Sequence, residues 1–226
     1  MWLVNDIIVY TPPLVILSII WFIFKKQIKP AGEAKHMNIG TMLMFFAAMY
    51  ALVTLTSVLT QQVANYLSEN HGAKELPDVF SEVMPKSPIE WLIMLFFVGI
   101  VAAVAEEIIF RHLLLKLLRR LGDRPAVIIT AVAFGAFHGN LTQFFYAAVA
   151  GLILGIVTVQ ANSLKPAIVI HILNNSFDIG RAYLVESVKQ GRILISEETL
   201  SFAVIAFLFV GLIATIVLAI NGRFKI

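Results

Sequence analysis

Apolar residues run along this chain in long stretches that are separated by short polar or charged segments. A stretch of about 20 mostly apolar residues is long enough to cross a lipid bilayer as an α-helix. We therefore predict seven spanning helices, near residues 7–24, 38–60, 89–118, 125–139, 142–160, 165–180 and 199–220. The fourth and sixth segments are short and contain polar residues, so hydropathy supports them least. The first segment has no basic residue before its apolar run, so we expect a retained helix rather than a cleaved signal peptide.

The composition favours a membrane protein over a soluble one. The 226 residues are 59% hydrophobic and 14% charged, with a mean hydropathy of +0.88, whereas soluble domains are about 45–50% apolar and about 25% charged. One compact domain of this size cannot bury that much apolar surface. We therefore expect a single all-α membrane domain over residues 1–226, a polytopic helical bundle in contact with the lipid bilayer.

Cysteine content and net charge exclude several functional classes. The chain has no cysteine, which rules out disulfides, a thiolate zinc site and a cysteine nucleophile. The net charge of +3 is too small to suggest nucleic acid as a partner.

Ionisable side chains inside the third apolar segment point to function. Each such residue costs about 2.5–3.5 kcal/mol at mid-helix, so it is retained for a purpose. Glu107 and Arg111 are four residues apart with the acid first, the favourable order for an ion pair on a helix. Glu106 points about 100° away from Glu107. Two adjacent acids in separate surroundings can take separate roles.

Two further segments carry polar side chains at matching depths. Phe134 and His138 share one helix face, and His171 and Asn175 share another, so that both can aim at one point. Convergent hydrogen-bond donors in a low-dielectric site can stabilise an oxyanion, although helix–helix hydrogen bonds also explain either pair taken alone. Counted from the basic residue at one end of each helix, Glu106, His138, His171 and Asn175 lie roughly 9–21 Å deep. Three helices thus bring these groups to overlapping depths.

These residues resemble the CAAX prenyl protease and bacteriocin-processing (CPBP, or Abi) family of intramembrane glutamic endopeptidases. Glu106, Glu107 and Arg111 match its EExxxR motif, and the FxxxH and HxxxN motifs follow in order at Phe134, His138, His171 and Asn175. The resemblance covers residues 89–180, which we take as the catalytic core helices. It adds nothing about the first two helices or the last.

The resemblance implies a bundle with an intramembrane cavity open to the cytoplasmic side. In this family Glu106 would be the general base that activates water for attack on a peptide carbonyl. His138 would position that water or move its proton, and His171 and Asn175 would hold the oxyanion. Glu107, Arg111 and Phe134 would support this geometry. Such an enzyme cleaves peptide or protein substrates in or at the membrane.

There are two alternatives to a metal-independent protease: one has a different catalytic mechanism, and the other belongs to a different functional class. Two carboxylates and two histidines could bind zinc, but the chain has no HExxH motif, so we expect no cofactor and keep zinc as the alternative. The polar cluster could also belong to a non-catalytic scaffold or bacteriocin immunity protein, or to a small transporter. Transport has less support because no inverted repeat is present.

The size of the chain favours a bacterial membrane protein, with peptide pheromone or bacteriocin precursors as substrates rather than prenylated proteins. The sequence predicts neither the cleavage site nor the oligomeric state.

The distribution of basic residues predicts the topology. Lysine and arginine are enriched in cytoplasmic loops. With seven spans, one side holds Lys25, Lys26, Lys29, Lys35, Lys116, Arg119, Arg120, Arg124, Lys165, Arg223 and Lys225. The other side holds Lys74, Lys86, Arg181, Lys189 and Arg192, mixed with acidic residues. We therefore expect the N-terminus outside and the C-terminus in the cytoplasm. Reporter fusions at Lys29 and Arg120 should report the cytoplasm, whereas a fusion at Pro77 should be external; a cytoplasmic signal at Pro77 would refute this topology.

Overall fold

The computed structural model describes residues 2–24, 33–71 and 85–226. These residues form helices and no strand, which confirms the all-α prediction. The helices are α1 Trp2–Phe24, α2 Ile39–His71, α3 Pro88–Leu121, α4 Asp123–Phe137, α5 Leu141–Ala161, α6 Lys165–Lys189 and α7 Glu197–Ile220. Helices α2 and α6 run past the predicted ends because polar residues, which a hydropathy criterion does not count, continue both helices.

Four of these helices are long and apolar enough to cross a membrane: Ile39–Asn70 within α2, all of α3, α5 and α7. Helix α1 contains a shorter apolar segment, Tyr10–Ile20. Helix α4 has 15 residues, about 22 Å at 1.5 Å per residue, which is less than a hydrocarbon core of about 30 Å. The protein is thus a multi-pass membrane protein, while the number of seven spans stays a prediction.

The orientation also stays a prediction. Several residues on which it depends lie outside the described part of the chain, namely Lys25, Lys26, Lys29, Lys74 and Pro77.

Small residues bring the central helices close together. Helix α2 packs against α5 and α7, and α4 packs against α5. A Cβ atom at Gly211 of α7 would lie 2.5 Å from Cβ of Ala51 on α2, and one at Gly151 of α5 would lie 3.0 Å from Cα of Ala131 on α4. Both glycines therefore mark places where only a missing side chain allows the two backbones to approach.

Helix α3 departs from regular α-helical geometry on both sides of the acid pair. Leu95–Ala102 and Ile108–Leu115 are π-helical, and the α-helical segment Ala103–Glu107 lies between them. Short π-helical insertions in α-helices occur frequently at functional sites. The two glutamates therefore lie on a short regular segment inside an irregular helix.

The turn after α4 fixes the position of His138. This residue is the C-cap of α4, and Gly139 follows with φ of 65°, a conformation that glycine adopts without a steric penalty. The side chain of Asn140 then accepts hydrogen bonds from the backbone N–H groups of Thr142 and Gln143 and caps α5. His138 thus sits at the end of α4, where the chain reverses direction.

Candidate active site

A buried ion pair on α3 forms the base of the site. Glu107 is fully buried and Arg111 is 1% exposed, with Arg111 Nη1 3.2 Å from Glu107 Oε1. Arg111 Nη2 also donates a hydrogen bond to the carbonyl oxygen of Gly151 on α5 at 3.2 Å. Its Cζ atom lies 4.6 Å from the ring centroid of Phe134 on α4, within the range of a cation–π contact. The guanidinium charge is therefore compensated by groups from three helices.

His171 of α6 connects the two glutamates. Its Nδ1 atom lies 2.9 Å from Glu107 Oε1, and its Nε2 atom lies 3.5 Å from Glu106 Oε2. A carboxylate beside Arg111 accepts hydrogen bonds, so the hydrogen of a neutral His171 belongs on Nδ1. Nε2 then carries no hydrogen and is an acceptor.

Tyr10 of α1 holds the other oxygen of Glu106. Its hydroxyl donates a hydrogen bond of 2.8 Å to Glu106 Oε1, and its ring centroid lies 5.9 Å from that of Phe137. The two oxygens of Glu106 therefore have different neighbours, Tyr10 at Oε1 and His171 at Oε2. Sequence analysis missed Tyr10, because a single tyrosine that is 96 residues away in the chain has no spacing relation to the glutamates.

Phe134 and His138 form the wall of the site on α4. The ring centroid of Phe134 lies 5.1 Å from that of His138 and 5.8 Å from that of His171. Nδ1 of His138 lies 2.9 Å from the backbone carbonyl oxygen of Phe134. A carbonyl only accepts, so Nδ1 carries the hydrogen and Nε2 of a neutral His138 is left as an acceptor.

Asn175 lies one helical turn beyond His171 on α6, but its hydrogen-bond partner is not a glutamate. Its Nδ2 atom donates to the carbonyl oxygen of Val98 at 3.2 Å, inside the first π-helical segment of α3. In this structure its amide is therefore bound to the backbone of the helix that carries the glutamates. Contacts join the other predicted site residues into one cluster, namely Glu106, Glu107, Arg111, Phe134, His138 and His171.

The predicted cavity over this cluster is not confirmed. Among the described residues, the two best-defined cavities have volumes of about 610 Å³ and about 70 Å³. The smaller one reaches Arg111, and neither is lined by Glu106, His138 or His171. Glu106 is 7% exposed, so the described residues leave little of its carboxylate open to solvent.

Within the described ranges, no group of three or more histidine, aspartate or glutamate side chains is arranged to hold a metal ion. The metal-independent mechanism stays a prediction.

Comparison with known proteins identifies the central part of the chain. Residues 88–177 match the family described as type II CAAX prenyl endopeptidase, Rce1-like. This segment comprises α3, α4, α5 and the part of α6 with His171 and Asn175, and it nearly coincides with the predicted core at 89–180. Searches of curated proteins and of solved structures gave no match.

Replacing Glu107 with Gln should destabilise the fold. The substitution leaves the Arg111 charge buried without its anionic partner, and breaking a buried pair costs about 3–5 kcal/mol. Unfolding of the detergent-solubilised protein measures this loss. Asp123→Asn is the matched control, since it breaks another i,i+4 pair with Arg119 whose side chains are 32% and 37% exposed. That control should cost less than about 1 kcal/mol, and equal losses in both variants would contradict the buried-pair interpretation.

Proposed function

We propose, from the match of residues 88–177 to the Rce1-like type II CAAX prenyl endopeptidase family, that this chain is an intramembrane endopeptidase in which Glu106 activates water. Its substrates are peptides or membrane-associated proteins. The observation that carries the proposal is the division between the two glutamates. Glu107 is fully buried between Arg111 and His171, whereas Glu106, which is 7% exposed, forms no ion pair with a Lys or Arg side chain among the described residues.

Glu106 is suited to act as the general base through Oε2. Tyr10 donates to Oε1, which leaves Oε2 to accept a proton from the attacking water. As that proton moves to Oε2, the water oxygen bonds to the scissile carbonyl carbon and an oxyanion forms. When the C–N bond breaks, Glu106 returns the proton to the leaving amine. The base is thereby restored, and water has been added across the peptide bond.

His171 and His138 would direct the water. Glu107 fixes the Nδ1 hydrogen of His171, so Nε2, which lies 3.5 Å from Glu106 Oε2, could accept a hydrogen bond from a water that Oε2 also binds. Nδ1 of His138 donates to Phe134, which leaves its Nε2 atom free to accept a hydrogen bond or a proton from water. Both imidazoles can thus support deprotonation of the nucleophile.

Stabilisation of the oxyanion would require a rearrangement in this chain. The family resemblance gives this role to His171 and Asn175, but Asn175 Nδ2 donates to Val98 and His171 Nε2 faces Glu106. We propose that substrate entry breaks the hydrogen bond between Asn175 and Val98 and turns the amide toward the scissile carbonyl. Removing one donor from an oxyanion hole lowers the rate by about 10²–10³-fold.

A Glu106→Gln variant should lose proteolysis and keep its fold. The amide fills the same volume but cannot accept the proton, so cleavage should fall by about 10²–10⁴-fold. Peptide profiling of membranes that contain wild-type or variant protein identifies the cleaved peptides, and purified protein in detergent then gives the rates. Glu198→Gln, an exposed residue at the start of α7, is the control and should cleave normally.

The same assay separates the alternatives. Exhaustive chelation should leave the wild-type rate unchanged, and activity that vanishes on chelation and returns with zinc would establish a metalloenzyme instead. Full cleavage by Glu106→Gln would refute the glutamate mechanism. The same set of peptides in membranes with wild-type and variant protein would favour a scaffold.

Tyr10→Phe should slow cleavage by about tenfold or more. The substitution removes the hydroxyl that donates to Glu106 but keeps the ring that packs against Phe137. Without this hydrogen bond the Glu106 carboxylate is no longer held with Oε2 toward the water, and misorientation of a catalytic group lowers the rate. A loss of about 1.4 kcal/mol in alignment corresponds to a tenfold change in rate. Tyr66→Phe, at a 59% exposed position on α2, is the control. An unchanged rate in Tyr10→Phe would show that α1 takes no part in the chemistry.

A further inference from the structure

A cavity of about 610 Å³ lies away from the candidate active site. Its polar lining includes Lys35, Arg223, Gln160 and Asn221. This volume falls inside the range of about 300–1,000 Å³ that is typical of small-molecule sites. The cavity shares no residue with the proposed active site.

The cavity lies at one end of three helices that can span a membrane. Lys35 precedes the start of α2 at Ile39, Gln160 is next to the end of α5 at Ala161, and Arg223 follows the end of α7 at Ile220. The ends of spanning helices lie at the boundary between hydrocarbon and water. The cavity therefore opens at the depth of the phospholipid headgroups, on whichever side of the membrane this end lies.

The charged side chains that line the cavity are cationic. Lys35 and Arg223 both line the cavity, no carboxylate side chain is among its lining residues, and neither cation forms an ion pair with another described residue. Two cations without a counterion in a concave site attract an anion. Basic pockets between spanning helices are a known mode of binding for anionic headgroups.

Hydrogen bonds to backbone carbonyl oxygens hold both cationic segments in place. The N–H of Lys35 donates to the carbonyl oxygen of Ala161 at 2.8 Å. On the other side, Nε2 of Gln160 donates to the carbonyl oxygens of Arg223 and Lys225. The segments before α2 and after α7 are thus both tied to the end of α5, and the site is preorganised for its ligand.

We propose that this cavity binds the phosphate of an anionic phospholipid headgroup, with Lys35 and Arg223 as its two cationic contacts. The proposal is independent of the proposed protease activity, because it concerns other residues and is measured by binding.

Lipid binding to variants tests the proposal. Detergent-purified protein is titrated with short-chain phosphatidylglycerol, and bound lipid is measured by native mass spectrometry. Lys35→Gln combined with Arg223→Gln should bind about 30-fold more weakly, given about 1 kcal/mol for each cation near a headgroup. Lys165→Gln combined with Arg120→Gln removes the same charge from exposed positions outside the cavity and should bind as wild type does. Equal affinity in all three proteins would overturn the proposal.

Three further binding measurements determine which chemical features of the ligand the cavity recognises. Lys35→Arg combined with Arg223→Lys keeps both charges and should keep affinity within a few-fold, so a loss equal to that of the Gln double variant would refute an electrostatic site. Zwitterionic phosphatidylcholine should bind at least tenfold more weakly than phosphatidylglycerol, and equal binding would overturn headgroup recognition. Glycerol 3-phosphate, which carries the phosphate without acyl chains, should not compete at concentrations that saturate with lipid; full competition would make this a site for soluble phosphates instead.

Discussion

The compensation of one buried charge, that of Arg111, determines the arrangement of the active site. A guanidinium that is 1% exposed inside an apolar bundle is tolerated only when other groups satisfy it. Its partners are Glu107 on α3, the carbonyl of Gly151 on α5 and the ring of Phe134 on α4. The Arg111 guanidinium contacts three helices through these groups, although its buried Nε atom has no hydrogen-bond partner among the described residues. The guanidinium also fixes the Glu107 carboxylate, which in turn orients His171 through a contact of 2.9 Å.

The irregular helix α3 carries several of the groups that form the candidate active site. Its first π-helical segment provides the Val98 carbonyl that accepts from Asn175, and its second carries Arg111. Between them, the short α-helical segment presents Glu106 and Glu107 on different sides, one toward Tyr10 and the other toward Arg111. Two adjacent carboxylates thus have separate surroundings on one helix, which is the condition for giving them different chemical roles.

Much of this arrangement could be predicted from the sequence because it depends on local spacing. The pair Glu107–Arg111 and the shared face of His171 and Asn175 follow from helical periodicity. Three features could not be predicted, because no local pattern encodes them. The partner of Asn175 is a backbone carbonyl, the π-helical segments change the register within α3, and Tyr10 approaches Glu106 only through tertiary packing of α1. Depth estimates that assume regular helices place residues in the same layer, but they do not identify hydrogen-bond partners.

The contact of Tyr10 with Glu106 also shows which part of the site lies outside the family match. The matched segment, residues 88–177, contains both glutamates, both histidines and Asn175, yet one oxygen of Glu106 is held by a helix that begins at Trp2. A carboxylate oxygen that accepts from a hydroxyl is less available as a base than one that does not. Because Tyr10 occupies Oε1, the proposed mechanism assigns the attacking water to Oε2, on the side of His171. In that mechanism the core would supply the reacting groups, and α1 would determine which oxygen of the base is used.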